Sequence, residues 1–375
     1  VNAVAEEVAE VVALESAPHV KTPEAVKAVY MSACAAATPS FREHFLSIAT
    51  ETEINSIVID IKDFSGTIAF ETKDEQFHQE DATGCFVSDM EELVTMFHDV
   101  GVYTIARLTV FQDPYYAKRH PDFAVQKESD KSIWRDKKGL AFIDVGAKPY
   151  WDFVVDLSHE AYAIGFDEIN YDYIRYPSDG QMQDIYYPYS NELVEGDPEN
   201  GKAVQVREFF AYLHANLNPK LKTSADLFGM TTTNTDDLNI GQIQEYAYPF
   251  FDFIAPMTYP SHYPTGFYGI TNPNKEVYKV MKISLDKSVE RIFATSTVVQ
   301  LPGVSAIAST SPALYPKERG TADKLRPWVQ DFDYGGEYGV AEVRAQIQAI
   351  YDSGVDSWML WDPANRYTVD ALLKE

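Results

Sequence analysis

Gly165-Phe-Asp-Glu-Ile-Asn-Tyr-Asp-Tyr-Ile-Arg-Tyr-Pro177 is the stretch on which the fold turns. It opens on a glycine suited to ending a helix. Between its ends the side chains alternate with the period of two that marks a strand. Asp167, Ile169 and Tyr171 share one face; Glu168, Asn170 and Asp172 share the other. The Ile/Tyr face suits an outside packed by helices. The Glu/Asn/Asp face then points into a barrel, with Asp172 nearest the C-terminal mouth. Three polar groups on an inward face are costly unless they bond one another or a ligand. Either a satisfied internal network that includes Arg175 or a functional site follows.

Short apolar runs recur on both sides of this strand. They are Ala28–Ala33, Ser56–Ile61, Tyr103–Phe111, Glu168–Ile174, Thr223–Phe228, Phe253–Tyr259, Ile292–Val299 and Ser357–Leu360. Their Val, Ile, Tyr and Phe content and their length fit buried strands. Helical patterns lie between most of them, at 40–50, 88–100, 149–164, 202–217, 240–248, 274–288 and 340–352. Ser40-Phe-Arg-Glu43 and Ser88-Asp-Met-Glu91 have capping-box spacing. Gly101, Gly165 and Gly354 stand where a left-handed cap is needed after a helix. Eight strands alternating with helices give a (β/α)8 TIM barrel, a fold of about 250 residues. The rest of the barrel region is expected as insertions after strand 2 (64–87), strand 3 (112–148), strand 4 (177–201) and strand 7 (300–339). All four would then wall the C-terminal face, where such barrels keep their active sites. A doubly wound open sheet is the runner-up, but it should carry a nucleotide fingerprint. None is present.

The domain expectation is a leader or linker over 1–24, rich in glutamate, and one barrel over 25–375. The chain has 375 residues, 57 acids against 31 bases, and a formal charge of −26, so clustered Lys/Arg for phosphate backbones or anionic membranes is not expected. No apolar run is long enough to span a membrane. Residues 1–24 lack signal-peptide features, so an extracellular or cell-surface location presumes a signal already removed. Cys34 and Cys85 form one bridge or remain two buried thiols. Gly196-Asp-Pro-Glu-Asn-Gly201-Lys202-Ala203 fails as a phosphate loop. It has Ala where Ser or Thr must hold magnesium, and acids where backbone N–H groups should face phosphate. The histidines are scattered with no metal-ligand spacing, so neither metal nor cofactor is expected. Calcium among the acids of 192–199 is not demanded by any spacing.

Several strand ends carry chemistry. Asp226, near the end of strand 5, neighbours Asp172. Paired carboxylates on adjacent strand ends are what glycoside hydrolysis needs: one protonated to serve the leaving oxygen, one ionised. Asp60 and Lys62 share a face of strand 2 and are expected to pair near the mouth. Arg107 on strand 3 would orient a catalytic carboxylate and favour its charged form. Tyr259 and His262 follow strand 6. Trp361 and Asp362 end strand 8, where an indole offers a sugar ring a face to stack on.

The runs Ile105-Ala-Arg-Leu-Thr-Val-Phe-Gln-Asp113, 165–177, Ser224-Ala-Asp-Leu-Phe-Gly229, Ile240-Gly-Gln242 and Pro256-Met-Thr-Tyr-Pro-Ser-His-Tyr263 resemble those of the bacterial putative glycosyl hydrolase domain family, remotely related to the alpha-amylase clan. The resemblance spans roughly residues 25–365 and implies a TIM barrel that hydrolyses carbohydrate. In that clan the nucleophile is an Asp ending strand 4, matched by Asp172. The acid/base is a Glu ending strand 5, where this chain has Asp226. The clan's Arg two residues before the nucleophile is here Asn170. Met257-Thr-Tyr259 is a fainter echo of barrel chitinases.

The expectation is therefore a secreted or surface glycoside hydrolase acting on a polysaccharide or oligosaccharide. Asp172 is nucleophile or base, Asp226 general acid, and Glu168 a third catalytic candidate. Asn170, Arg107 and Arg175 orient them; Asp60, Lys62, Tyr259, His262, Trp361 and Asp362 serve the substrate. Acidic cleft walls would favour neutral or cationic glycans over polyuronic ones. A carbohydrate-binding barrel without catalysis is the competing reading.

Overall fold

Eight parallel strands close on themselves in the computed structural model, which describes residues 17–308 and 310–374. They are β1 (Lys27–Met31), β2 (Ser56–Lys62), β3 (Tyr103–Thr109), β4 (Glu168–Asp172), β5 (Lys222–Phe228), β6 (Phe253–Met257), β7 (Trp328–Gln330) and β8 (Trp358–Trp361). The barrel closes where Lys27 of β1 pairs with Trp358 of β8. Closure removes the open-sheet alternative and leaves no edge strand.

The outer shell follows from the sequence pattern. Helix α1 (Pro39–Glu51) follows β1, and α2 (Met90–His98) precedes β3. In α2, Leu93, Val94 and Phe97 are buried at helical spacing. Glu91 and Glu92 sit in its first turn and His98 in its last, complementing the helix dipole. Helices α3 (Lys148–Ala163), α4 (Gly201–Asn216), α5 (Val277–Phe293) and α6 (Val340–Asp352) complete the main shell. Gly101, Gly165 and Gly354 adopt left-handed φ values of 78°, 112° and 73°, as their places after α2, α3 and α6 require. The expected capping boxes do not form. Thr38 precedes α1 with Ser40 already inside it, and Asp89 precedes α2. Asp89 is engaged by Arg42 at 2.6 and 2.7 Å.

The faces of β4 divide as its alternation dictates. Ile169 and Tyr171 join the large apolar layer between strands and helices, which includes Phe209, Phe210 and Phe251. A second cluster, with Ala28, Tyr30, Val58, Ile105, Trp328 and Met359, belongs to the barrel interior.

One strand lies elsewhere than expected. Ile292 lies in the last turn of α5, and Ser296–Thr297 pairs with Tyr315–Pro316 in a two-stranded antiparallel sheet outside the barrel. The seventh strand is instead Trp328–Gln330, joined to β6 through Met257 and Trp328 and to β8 through three pairs. Three residues are too few to show a strand's period, whereas 292–299 shows an apolar run that is really a helix end plus a short hairpin arm. The insertions after β2, β3 and β4 are as expected. The fourth, over 294–327, precedes β7 rather than following it.

The expected leader lies outside the described residues as far as residue 16. Beyond that, Val20 donates its backbone N–H to Asp167 at 2.6 Å, and His19 stacks on Tyr162 at 4.1 Å. Cys34 and Cys85 form a disulfide that ties the turn after β1 to the insertion after β2. No helix among the described residues is long and apolar enough to cross a membrane.

Candidate active site

The inward face of β4 is a ladder of three polar rungs, each bonded differently. Glu168, the lowest, is completely buried. Nη1 of Arg326 donates to its two oxygens at 2.8 and 2.7 Å, and the Tyr103 hydroxyl donates at 2.9 Å. It does not line the cleft. Glu168, expected among the catalytic candidates, is thus sealed away from the cleft against Arg326 and Tyr103. Its partner Arg326 lies just ahead of the short strand β7, outside every strand expected from the sequence.

Asn170, the middle rung, donates through Nδ2 to Asp226 at 2.9 Å and to Ser224 at 3.0 Å. The indole N–H of Trp328 donates to the same Asp226 oxygen at 2.7 Å. The other oxygen of Asp226 accepts no bond from the described residues, and Asp226 lines the cleft. Burial raises its carboxyl well above the usual range. The charge of Asp172 raises it further, against the opposing pull of Arg107, Trp328 and Asn170. The surroundings of Asp226 thus favour its protonated form.

Asp172, the top rung, is bound by Arg107 through Nη2. It also accepts the backbone N–H of Tyr173 at 2.6 Å. Arg107 donates through Nη1 to Asp60 at 2.6 Å, and Asp60 accepts the Tyr30 hydroxyl at 2.5 Å. Burial works against the charge of Arg107, but Asp60 and Asp172 outweigh it. The guanidinium lies 4.9 Å from the Trp361 ring centre, and Trp361 stacks on Tyr30 at 3.8 Å. Arg107 is thereby held against Asp172 by a carboxylate on one side and an indole on the other.

A cleft of about 830 Å³ opens over Asp172 and Asp226. Arg107, Tyr259, His262 and Trp361 reach it as expected, and so does Arg175. Burial lowers the pKa of His262 and so favours its neutral imidazole. Other expected residues do not reach it. Asp60 stands behind Arg107 as a support. Lys62 is sealed, 2.9 Å from Asp113 and bonded to the Thr109 carbonyl at 2.7 Å. A register shift between Asp60 and Lys62 separates the pair expected from simple alternation. Asp362 binds the backbone N–H groups of Ala364 and Arg366 at 2.9 and 2.7 Å and so shapes the turn after β8.

Lys138, Phe332 and Tyr334, which the sequence did not single out, line the cleft from within the expected insertions over 112–148 and 300–339. The loop after β7 supplies the two aromatics. The acidic walls expected from net charge are absent. The cleft's charged side chains are Arg107, Lys138 and Arg175 against Asp172 and the neutral-leaning Asp226.

Residues 28–367 match the model of a family described as putative glycosyl hydrolase domain. No curated protein matches the sequence. Among solved structures, the chain resembles the PgaB (BpsB) glycoside hydrolase domain from Bordetella bronchiseptica. That match has 12% identity and a TM-score of 0.63, covering 93% of this chain and 99% of the other. It also resembles alpha-L-fucosidase isoenzyme 2 from Paenibacillus thiaminolyticus, with 13% identity, TM-score 0.53, and coverage of 92% and 48%. A hypothetical protein from Ruminiclostridium thermocellum aligns at 29% identity, covering 53% of this chain and 96% of its own, with a TM-score of 0.46. At such identities the first two likenesses bear on fold, and both are to barrel glycoside hydrolases.

Proposed function

This chain belongs to the putative glycosyl hydrolase domain family and is a glycoside hydrolase by that membership; from that premise we propose that it cleaves a polysaccharide or oligosaccharide with Asp172 and Asp226. Asp226 is the general acid that protonates the leaving glycosidic oxygen. Asp172, bonded to Arg107, serves as the nucleophile or as the base that activates water. The observation that carries this reading is the contrast between two carboxyls on adjacent strand ends. One is bound to a guanidinium; the other is buried without a cation of its own and pushed toward its neutral form. Two acids whose environments drive them apart are the division of labour that glycoside hydrolysis demands.

No metal step is needed in this scheme. Arg107 positions Asp172, Asn170 and Trp328 position Asp226, and the aromatic wall of Tyr259, Phe332, Tyr334 and Trp361 offers sugar rings apolar faces. An extracellular or cell-surface location is part of the proposal. The Cys34–Cys85 disulfide supports it, because such bonds persist in oxidising compartments.

The test is hydrolysis of a panel of defined glycans. Asp172→Asn should lower turnover on the order of 10³-fold or more. Asp226→Asn should lower it on the order of 10²–10⁴-fold. Binding of uncleaved glycan should survive in Asp172→Asn. A wild type that binds several glycans and cleaves none would turn the reading into a carbohydrate-binding barrel.

A further inference from the structure

Arg175 is a cation whose bonds do not neutralise it. It follows β4 by three residues and is buried, with 8% of its surface exposed. Its Nη1 donates to the Tyr176 carbonyl at 2.9 Å and to the Ser178 hydroxyl at 3.3 Å, both uncharged acceptors. Its Nε and Nη2 donate to none of the described residues. They are also not among the buried polar atoms sealed without a partner, unlike the Nε atoms of Arg107 and Arg326. That free edge therefore remains accessible, and Arg175 lines the cleft.

The side chain is fixed in place. Its guanidinium lies 4.7 Å from the Phe228 ring centre and 5.0 Å from that of Tyr173. Tyr173 itself has φ 52°, the left-handed region that non-glycine residues rarely adopt. The backbone N–H of this residue is held by Asp172, so the turn that presents Arg175 is anchored to the proposed catalytic carboxylate. Lys138, exposed on the insertion after β3, adds a second cation to the same cleft. In a chain of formal charge −26, Arg175 and Lys138 line this cleft without an ion pair to any described carboxylate; burial works against the charge of Arg175, and Asp172, Asp179 and Asp136 favour it only from a distance.

A buried cation is costly without a counter-charge. Here no described carboxylate bonds the free edge of the guanidinium and the cleft is open, so a carboxylate of the ligand can take that place. A guanidinium edge of two parallel N–H groups matches a planar carboxylate in bidentate fashion. We propose that Arg175, assisted by Lys138, forms a subsite for the carboxylate of a uronic-acid residue, so that the substrate is an acidic glycan. The subsite rests on the reading of this cleft as a glycosidase site. It reverses the preference for neutral or cationic glycans that net charge alone suggests, because a bound sugar meets the local field of the cleft lining.

The experiment measures binding of oligogalacturonate, oligoglucuronate and their carboxyl-reduced neutral forms to Asp172→Asn protein by calorimetry. A sulfated neutral glycan is the third arm. At least one carboxylated probe is expected to bind tenfold or more tightly than its reduced form. Adding Arg175→Gln should erase that difference, Arg175→Lys should restore only part of it, and Lys138→Ala should weaken carboxylate binding severalfold. Circular dichroism and the melting temperature show whether each variant is folded. If Arg175→Gln does not fold, the carboxylate-specific loss in Lys138→Ala and the reduced-probe comparison decide.

Equal binding of acidic and reduced probes overturns the proposal. So does tighter binding of the sulfated glycan alone, or an equal loss for both probe types in Arg175→Gln. Hydrolysis by the wild type is scored separately. Arg175-dependent carboxylate binding with no cleavage of any glycan sinks the hydrolase reading and keeps the subsite. Asp172-dependent cleavage of neutral glycans with no carboxylate preference does the reverse.

Discussion

Asp226 and Asp172 show how far one residue's behaviour depends on its neighbours. Both are aspartates at the ends of adjacent strands, yet only Asp172 has a guanidinium. A general acid works only while protonated, so hydrolysis should fall as pH rises through the elevated pKa of Asp226. That limb belongs to the interacting pair rather than to Asp226 alone. The indole N–H of Trp328 stabilises the charged form of Asp226. Trp328→Phe removes that bond and should move the alkaline limb to higher pH, with kcat lowered severalfold. A pH–kcat/KM profile checks the direction; a shift to lower pH would contradict the assigned role of the indole. Asp172 and Asp226 were legible in the sequence because strand alternation and adjacency fix both. Their different surroundings were not, since these depend on Arg107 and Trp328, distant in the chain.

At the scale of the element, β4 carries the most information. A period of two in five residues sorted Ile169 and Tyr171 outward and Glu168, Asn170 and Asp172 inward. The same pattern could not say which inward acid meets substrate. Depth along the strand decides that, and Glu168 lies at the closed end against Arg326. Glu168→Gln leaves a buried guanidinium without its counter-charge and should destabilise the protein by about 3–5 kcal/mol. Urea unfolding measures the loss. The folded variant should keep its pH–rate profile, since Glu168 is outside the cleft. A collapse of kcat at unchanged stability would return Glu168 to the catalytic set. Strand β7 makes the opposite case: at three residues it has no readable period, and its partners on β6 and β8 define it.

For the whole molecule, charge and covalent linkage act at long range. The formal charge of −26 describes the surface as a sum and misses the cationic lining of the cleft. The Cys34–Cys85 disulfide spans a sequence separation of 51. Replacing both cysteines by serine should cost about 4 kcal/mol, the loop-closure entropy returned to the unfolded chain. Chemical denaturation with and without reductant tests this. Hydrolysis should persist in the replaced protein below its new midpoint, because neither cysteine lines the cleft.

Local pattern alone determined a barrel of alternating strands and helices, the inward acids of β4, and the adjacency of Asp172 and Asp226. These are properties of neighbours in the chain, where side-chain alternation and helical spacing are written directly. Tertiary structure alone decided the short seventh strand, the sealing of Glu168 and Lys62, and the exposed edge of Arg175. Each depends on which distant residue occupies the space beside a side chain, and in a low-dielectric interior that neighbour sets whether a charge is held, lost or left waiting for a ligand.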